Sequence, residues 1–268
     1  MADESVWLGP ARKPIRMVML ASTVGTGLLA LWLILGRLFL GTGIGLKQFL
    51  SPADTPSVLV TMIVGTIAII SASIYLSDTR GVVESESDGF FDVVSLICSR
   101  LAMIATCATV LVMFYEVVSR YLFVKPTLWA NELSLWIAGF IYLLAGLYAM
   151  QQRSHIRIYV IYDLFPRWLQ KLSDVVSVLL IWVFAFMLVW GGYNEARDKF
   201  FRWETFGTAW DPPLPATIKP AILIAVVLVA LQALSNLIAD WHKMPEHHSP
   251  MDDIDEHEIE IIRQSVKD

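Results

Sequence analysis

The sequence predicts an all-α integral membrane protein with about six transmembrane helices. Of its 268 residues, 56% are hydrophobic and only 17% are charged, whereas a soluble domain carries roughly a quarter charged residues. Its mean hydropathy is +0.59. The apolar residues are also concentrated in continuous runs, and this grouping is typical of membrane spans.

Six segments approach the length of about 20 mostly apolar residues that a spanning helix needs. Five of them contain no charged residue: Met17–Gly36, Ser57–Ser77, Leu133–Gln152, Val175–Asn194 and Ala221–Ala239. The sixth, Phe90–Val118, has its uninterrupted centre at Leu101–Tyr115. We count it as a span because charged side chains near span ends can reach the membrane surface. The first run is too long for a signal-peptide core and no cleavage site follows it, so we expect it to remain a span.

The runs divide the chain into an extension and a main unit. Residues 1–80 form an N-terminal extension with two predicted helices, and residues 81–89 form a polar linker. Residues 90–241 hold the other four predicted helices, and residues 242–268 form an acidic tail that we expect to be disordered. Six spans place both termini on one side. The Lys and Arg residues beside the spans favour the cytoplasm for that side, an N-in and C-in orientation.

An acid and a base lie near the end of the third predicted span. Glu116 and Arg120 are four residues apart with the acid first, which is the favourable order for an ion pair on a helix. Two interpretations are open at this point. Either the pair neutralises itself at the membrane surface, or Arg120 reaches a partner subunit or a lipid phosphate.

A second polar group lies where the fourth predicted span begins. Pro126 is expected to end the preceding helix. Trp129, Glu132 and Trp136 follow with the spacing of one helical face, and the tryptophans are typical interfacial anchors. A carboxylate just inside a span is costly unless it is paired or hydrated. Glu132 is therefore either a solvated charge at the helix start or a group that contacts a partner.

Further candidates are cations. Arg100 lies roughly nine residues into its span, where a charge is expensive. It either reaches the nearer membrane surface or pairs with Glu132 or Asp174. The remaining candidates for contact with a partner or the membrane surface form a basic group after the fourth span: Arg153, His155 and Arg157.

The sequence offers little chemistry for catalysis. It contains no P-loop, no G-x-S-x-G, no H-E-x-x-H and no glycine-rich nucleotide motif. We therefore expect a protein that is not an enzyme and that uses no cofactor and no metal. Cys98 and Cys107 lie on one predicted helix and are expected to be packing residues. The formal net charge of −5 gives no basic footprint for nucleic acid.

Short motifs recur in order across the last four predicted spans. They are Val117, Val118, Ser119, Arg120, Tyr121 and Phe123, then Pro126, Trp129, Glu132 and Leu133, then Gly146, Arg153, His155, Ile156, Arg157 and Ile158. Their order and spacing resemble the small membrane subunit (DctQ-type) of tripartite ATP-independent periplasmic (TRAP) transporters. Where that family usually carries a further acid, this chain has Asn131. The first 80 residues look like the two-helix extension of larger members.

The resemblance implies a multi-pass subunit of a bacterial inner membrane, surrounded by lipid and paired with a large transmembrane TRAP subunit. The large subunit would carry the substrate and sodium sites, and a periplasmic binding protein would deliver the solute. The small subunit would be a non-catalytic scaffold for sodium-coupled uptake of an organic acid. One alternative is a self-sufficient small transporter or channel, which needs polar side chains along a shared path. Another is the membrane anchor subunit of an enzyme complex, which needs paired histidines within its spans.

Overall fold

The computed structural model describes residues 5–41, 44–79, 84, 89–153, 162 and 165–241. In this part of the chain every regular element is a helix and no strand occurs. Six helices are long and apolar enough to cross a membrane. They are α1 (Arg12–Phe39), α2 (Pro56–Ser77), α3 (Phe90–Tyr121), α4 (Ala130–Gln151), α5 (Arg167–Phe201) and α6 (Leu214–Asp240). The chain is therefore an all-α integral membrane protein, and the predicted fold class is confirmed.

The helices are longer than the charge-free runs that predict them. α5 has 35 residues, and at about 1.5 Å per residue it is about 52 Å long. The hydrocarbon core of a bilayer is only about 30 Å thick. The additional turns contain Arg, Lys, Gln and Glu residues, which favour the helical conformation and keep their polar groups near water. Counting charge-free residues therefore finds each helix but misses its ends.

Each helix packs mainly against one or two neighbours, and we call this row of helices the helix layer. Within the described chain the neighbours follow the order α1, α2, α3, α4, α6 and α5, with a minor additional contact between α3 and α6. Few side chains are buried as a result: α5 buries only Gln170, Ala185 and Ala196. Both broad faces of the layer are consequently apolar surfaces that lipid or another membrane protein can cover.

The two helices of the extension pack against each other as a hairpin, which joins the main unit through α2 and α3. Glycines lie where α1 and α2 approach each other. A Cβ atom on Gly25 would be 3.5 Å from a Val64 methyl carbon, and one on Gly65 would be 3.5 Å from the Thr26 methyl carbon. Small residues at such positions let two membrane helices pack closely.

Asp78 fastens the first described residues to the end of α2. Its Oδ1 accepts hydrogen bonds from the N–H groups of Trp7 and Leu8 at 2.9 Å and from the Ser5 hydroxyl at 3.0 Å. Nη1 of Arg12 lies 3.3 Å from its Oδ2. Burial raises the pKa of this carboxyl, but the hydrogen bonds and the Arg12 charge outweigh burial and leave the pKa below its usual value.

Candidate functional site at the ends of the helix layer

The polar contacts gather at the two ends of the helix layer. Because consecutive helices run in opposite directions, the connections after α1, α3 and α5 lie at one end, which we call the loop end. The first described residues and the connections after α2 and α4 lie at the other end, which we call the N-terminal end. Each candidate residue that the structure describes lies near one of these ends.

At the loop end, Glu116 binds the connection between α3 and α4. Its side chain is 3% exposed. Oε1 accepts from Nε of Arg120 at 2.9 Å and from Nη2 at 2.5 Å, so the predicted pair exists. Oε2 accepts from the Thr127 N–H at 3.0 Å and from the Thr127 hydroxyl. The chain turns before the predicted stop at Pro126, because α3 already ends at Tyr121.

Glu132 holds the connection between α5 and α6. Its Oε2 accepts from the Thr208 hydroxyl at 2.7 Å, from the Trp210 N–H at 3.2 Å and from the Asp211 N–H at 3.1 Å. The sequence suggests solvent or a partner for this carboxylate, whereas the structure supplies donors from the same chain. Three donors from one loop make Glu132 the group that positions residues 202–213 against the start of α4.

The same loop has a second internal acceptor. The carboxylate of Asp211 accepts the N–H of Gly207 at 2.6 Å. This hydrogen bond, together with one from the Thr205 hydroxyl, holds the pKa of the Asp211 carboxyl below its usual value. The loop is therefore tied both to itself and to Glu132.

The two predicted anchor tryptophans have different neighbours. Trp136 donates from Nε1 to the Thr217 hydroxyl at 2.8 Å and meets Trp210 edge-on with ring centroids 6.5 Å apart. Trp129 instead stacks on Tyr115 of α3, with ring centroids 5.7 Å apart. Trp129 is the N-cap of α4, has helical backbone angles, and its carbonyl accepts the Leu133 N–H at 2.8 Å. The helical spacing therefore reaches Trp129, but its ring packs against α3, whereas Trp136 packs against the start of α6.

Near the N-terminal end, Arg100 ties α3 to the end of α2 and to the linker. Its Nη2 lies 2.6 Å from Oε2 of Glu84 and donates to the Thr79 carbonyl at 3.1 Å. Nε donates to the Leu76 carbonyl at 3.3 Å. Glu84 also accepts from the Tyr148 hydroxyl of α4 at 3.1 Å. Arg100 is therefore paired with Glu84 beside the end of α2, an acid that the sequence-based predictions did not name.

The counter-ions suggested for Arg100 by the sequence are wrong. Glu132 lies at the loop end, on the far side of the membrane spans from Arg100. Asp174 accepts a hydrogen bond from the Tyr162 hydroxyl at 2.8 Å. Charge type alone suggests both acids. Depth along the helices excludes Glu132, and the order of the helices, with α4 and α6 between α3 and α5, separates Asp174 from Arg100.

The basic group after α4 is partly described. Arg153 forms a bidentate ion pair with Asp240 of α6, with Nε and Nη2 at 2.5 and 2.8 Å from the two carboxylate oxygens. This contact joins the ends of α4 and α6. His155 and Arg157 lie outside the described residues, as do residues 242–268.

A buried polar network between α3 and α6 is absent from the sequence-based predictions. Gln232 is fully buried. It accepts from the Ser95 hydroxyl at 2.9 Å and donates to Asp92 at 2.6 Å and to Asn236 at 2.9 Å. Asn236 donates in turn to the Met150 carbonyl of α4 at 2.7 Å. An available signal was a glutamine and an asparagine four residues apart in an apolar run, since such residues bond across membrane helices.

The chemistry of these contacts is structural. The described residues contain no group of three or more His, Cys, Asp and Glu side chains that could hold a metal ion. Cys98 is half-buried and Cys107 is exposed, and both are free. The acids and bases described above engage other parts of the same chain. Their arrangement can brace helices and loops against one another.

The fold and these contacts define a multi-pass helical membrane protein whose ionisable groups hold its own helices together. Residues 109–243 match the family described as "Tripartite ATP-independent periplasmic transporters, DctQ component". The chain belongs to this family and is a small permease subunit of the TRAP type. The matched region starts within α3 and continues past the end of α6, so the N-terminal hairpin lies outside it.

Two relatives of known name are similar to the chain. The C4-dicarboxylate TRAP transporter small permease protein DctQ of Vibrio cholerae is 30% identical over 118 residues, which are 42% of this chain and 48% of that protein. The sialic acid TRAP transporter permease protein SiaT of Haemophilus influenzae is 23% identical over 122 residues, which are 46% of this chain and 20% of that protein. The chain thus aligns with about half of the first relative and a fifth of the second. No solved structure matches the chain.

Proposed function

We propose that the chain is the non-catalytic small permease subunit of a sodium-coupled secondary transporter. In this proposal it scaffolds a large transport subunit, which takes up an organic acid delivered by a periplasmic binding protein. Membership of the DctQ family supports the class of protein. The geometry of the helix layer supports the scaffolding role.

The observation that carries the proposal is the single layer of braced helices. In the most apolar window of each span, between 6% and 28% of the residues are buried, so the layer encloses little core of its own. A moving subunit needs a support that does not deform with it. Ion pairs and hydrogen bonds at both ends of the layer oppose sliding of the helices, while the apolar faces stay available for packing.

The names of the relatives support the solute class and the partner. One relative is a C4-dicarboxylate transporter component and the other is a sialic acid permease, so organic acids are the proposed solutes. The aligned segment is only 20% of the sialic acid permease, which supports a unit of this kind working beside a larger transport unit. Arg100, a charge that a self-sufficient transporter could use, is already paired with Glu84.

We place the chain in a bacterial inner membrane with both termini in the cytoplasm, so that the loop end faces the periplasm. Thiol labelling tests this orientation. Ser154→Cys, in a chain that also carries Cys98→Ser and Cys107→Ser, should resist an impermeant thiol reagent added from the periplasmic side. Ready labelling of that cysteine in intact cells would reverse the orientation.

Transport in liposomes tests the function. The chain alone, reconstituted with an inward sodium gradient, should accumulate no organic acid. The same vesicles should accumulate the acid when the large subunit and the loaded binding protein are added. Accumulation by the chain alone would contradict the scaffold proposal. Uptake by the large subunit that is equally fast with and without this chain would also contradict it.

A further inference from the structure

The connection between α3 and α4 carries a run of exposed apolar side chains at the loop end. Tyr121 is 74% exposed, Leu122 is 75%, Phe123 is 66% and Val124 is 80%. We call residues 121–124 the apolar crest. Single exposed apolar residues are normal on a protein surface, but four large ones in succession need a surrounding other than water.

The crest is held in place rather than frayed. The N–H of Lys125 donates to the Ser119 carbonyl at 2.9 Å, and the Ser119 hydroxyl donates to the Lys125 carbonyl at 2.5 Å. Glu116 binds Thr127 just beyond them. Val124 has a φ of 54°, a left-handed conformation that is strained for a β-branched residue. The surrounding hydrogen bonds therefore stabilise a loop shape that exposes the crest.

The depth of the crest follows from the length of α3. Arg100 lies level with the end of α2, because it donates to the Leu76 and Thr79 carbonyls. From Arg100 to Tyr121 the helix rises about 32 Å, close to the thickness of about 30 Å of the hydrocarbon core. With the end of α2 at one boundary of the hydrocarbon, the crest lies at the opposite boundary, where the hydrocarbon meets the headgroups at the loop end.

Two cations flank the crest. The side chain of Arg120 is 43% exposed; it uses Nε and Nη2 to bind Glu116, and its Nη1 has no partner among the described residues. Lys125 is exposed, and its ammonium group likewise has no partner in the part of the chain that the structure describes. Cations beside apolar side chains at this depth are suited to lipid phosphate.

We propose that residues 120–125 form an interfacial binding site for an anionic phospholipid. The crest lies among the upper acyl carbons, and Nη1 of Arg120 and the ammonium of Lys125 contact the headgroup phosphate. Lipid fits this position better than a protein partner because the apolar and cationic side chains are placed together at one depth. A partner that covers the crest through protein contacts is an outcome that the test distinguishes.

The first arm of the test locates the crest. A nitroxide is attached to Val124→Cys in the full chain with Cys98→Ser and Cys107→Ser, in vesicles of phosphatidylcholine and phosphatidylglycerol. The account expects high collision rates with oxygen and low rates with a water-soluble nickel chelate. A label at Phe206→Cys, a 45% exposed position in the other loop of this end, should show the reverse. High nickel accessibility at position 124, or loss of oxygen accessibility when the large subunit is added, would overturn the proposal.

The second arm measures the charge contribution. Phosphatidylglycerol is titrated into detergent micelles that contain the protein. The measured quantity is the lipid concentration that gives half of the maximal rise in unfolding temperature. Lys125→Gln should raise that concentration about fivefold, as expected for one cation at an anionic lipid surface. Arg202→Gln removes an exposed cation at the same end and should change it little. Equal shifts in both variants, or none in Lys125→Gln, would contradict a specific site.

Discussion

The extension and the main unit are held together by different kinds of contact. In α1 and α2 the hydroxyl side chains bond to their own helix: Thr26 donates to the Ser22 carbonyl at 2.7 Å and Ser73 to the Ile69 carbonyl at 2.8 Å. Such bonds satisfy the hydroxyl without joining two helices. Among the described residues, Asp78 and Arg12 join distant parts of the extension.

In the main unit, polar side chains join different helices and loops. Glu132 binds the connection between α5 and α6, Gln232 joins α6 to α3, and Arg153 of the segment after α4 pairs with Asp240 of α6. Losing one of these groups leaves several others without a partner in a region of little water. The main unit should therefore respond strongly to single substitutions, and the extension weakly.

The largest expected effect is on assembly, through Glu132→Ala. The substitution removes the carboxylate that accepts three hydrogen bonds from residues 202–213, so this loop is no longer held against α4. Hydrogen bonds to a charged group contribute about 1.5–3 kcal/mol. Recovery of the large subunit in co-purification should fall about tenfold. Glu204→Ala, which removes a loop acid paired with Lys199, is the matched control. Wild-type assembly and uptake by Glu132→Ala would show that the contact of Glu132 with this loop is not needed to bind the large subunit.

Next in size is the stability of the main unit, tested by Gln232→Leu. This change leaves the Ser95 hydroxyl without its acceptor and Asp92 without a donor. Hydrogen bonds between membrane helices contribute about 1–2 kcal/mol. The free energy of unfolding, measured by titration with a denaturing detergent, should fall by about 2 kcal/mol. Thr66→Val removes an exposed hydroxyl that bonds within α2 and should have a much smaller effect. Equal losses would erase the distinction between the two regions.

Local spacing explains which features could be predicted. The six helices follow from apolar runs, and the pair of Glu116 and Arg120 follows from four-residue spacing on one helix. The partners of Arg100, Glu132 and Gln232 depend on which helices become neighbours and at what depth. A single sequence does not encode that ordering in any local pattern.

The smallest effect concerns Asp78. Its folded pKa lies below the usual value, so its contribution to stability is complete above the unfolded pKa of about 3.9 and is lost as the pH falls through the folded pKa. Asp78→Asn should lower the free energy of unfolding by about 1 kcal/mol at pH 7. The difference in the free energy of unfolding between wild type and variant should disappear below about pH 4. A gap that is constant from pH 7 to pH 3 would show that the Asp78 charge contributes nothing.

The central claim is that the braced main unit, without the extension, is the part that supports the large subunit. The most direct measurement is co-purification of the large subunit with a chain that begins at Thr79, which keeps the contacts of Arg100 with Glu84 and with the Thr79 carbonyl. We expect this chain to insert, to bind the large subunit and to unfold at a lower temperature than the full chain. Loss of the complex while the four remaining spans insert normally would make the hairpin an assembly element and contradict the claim.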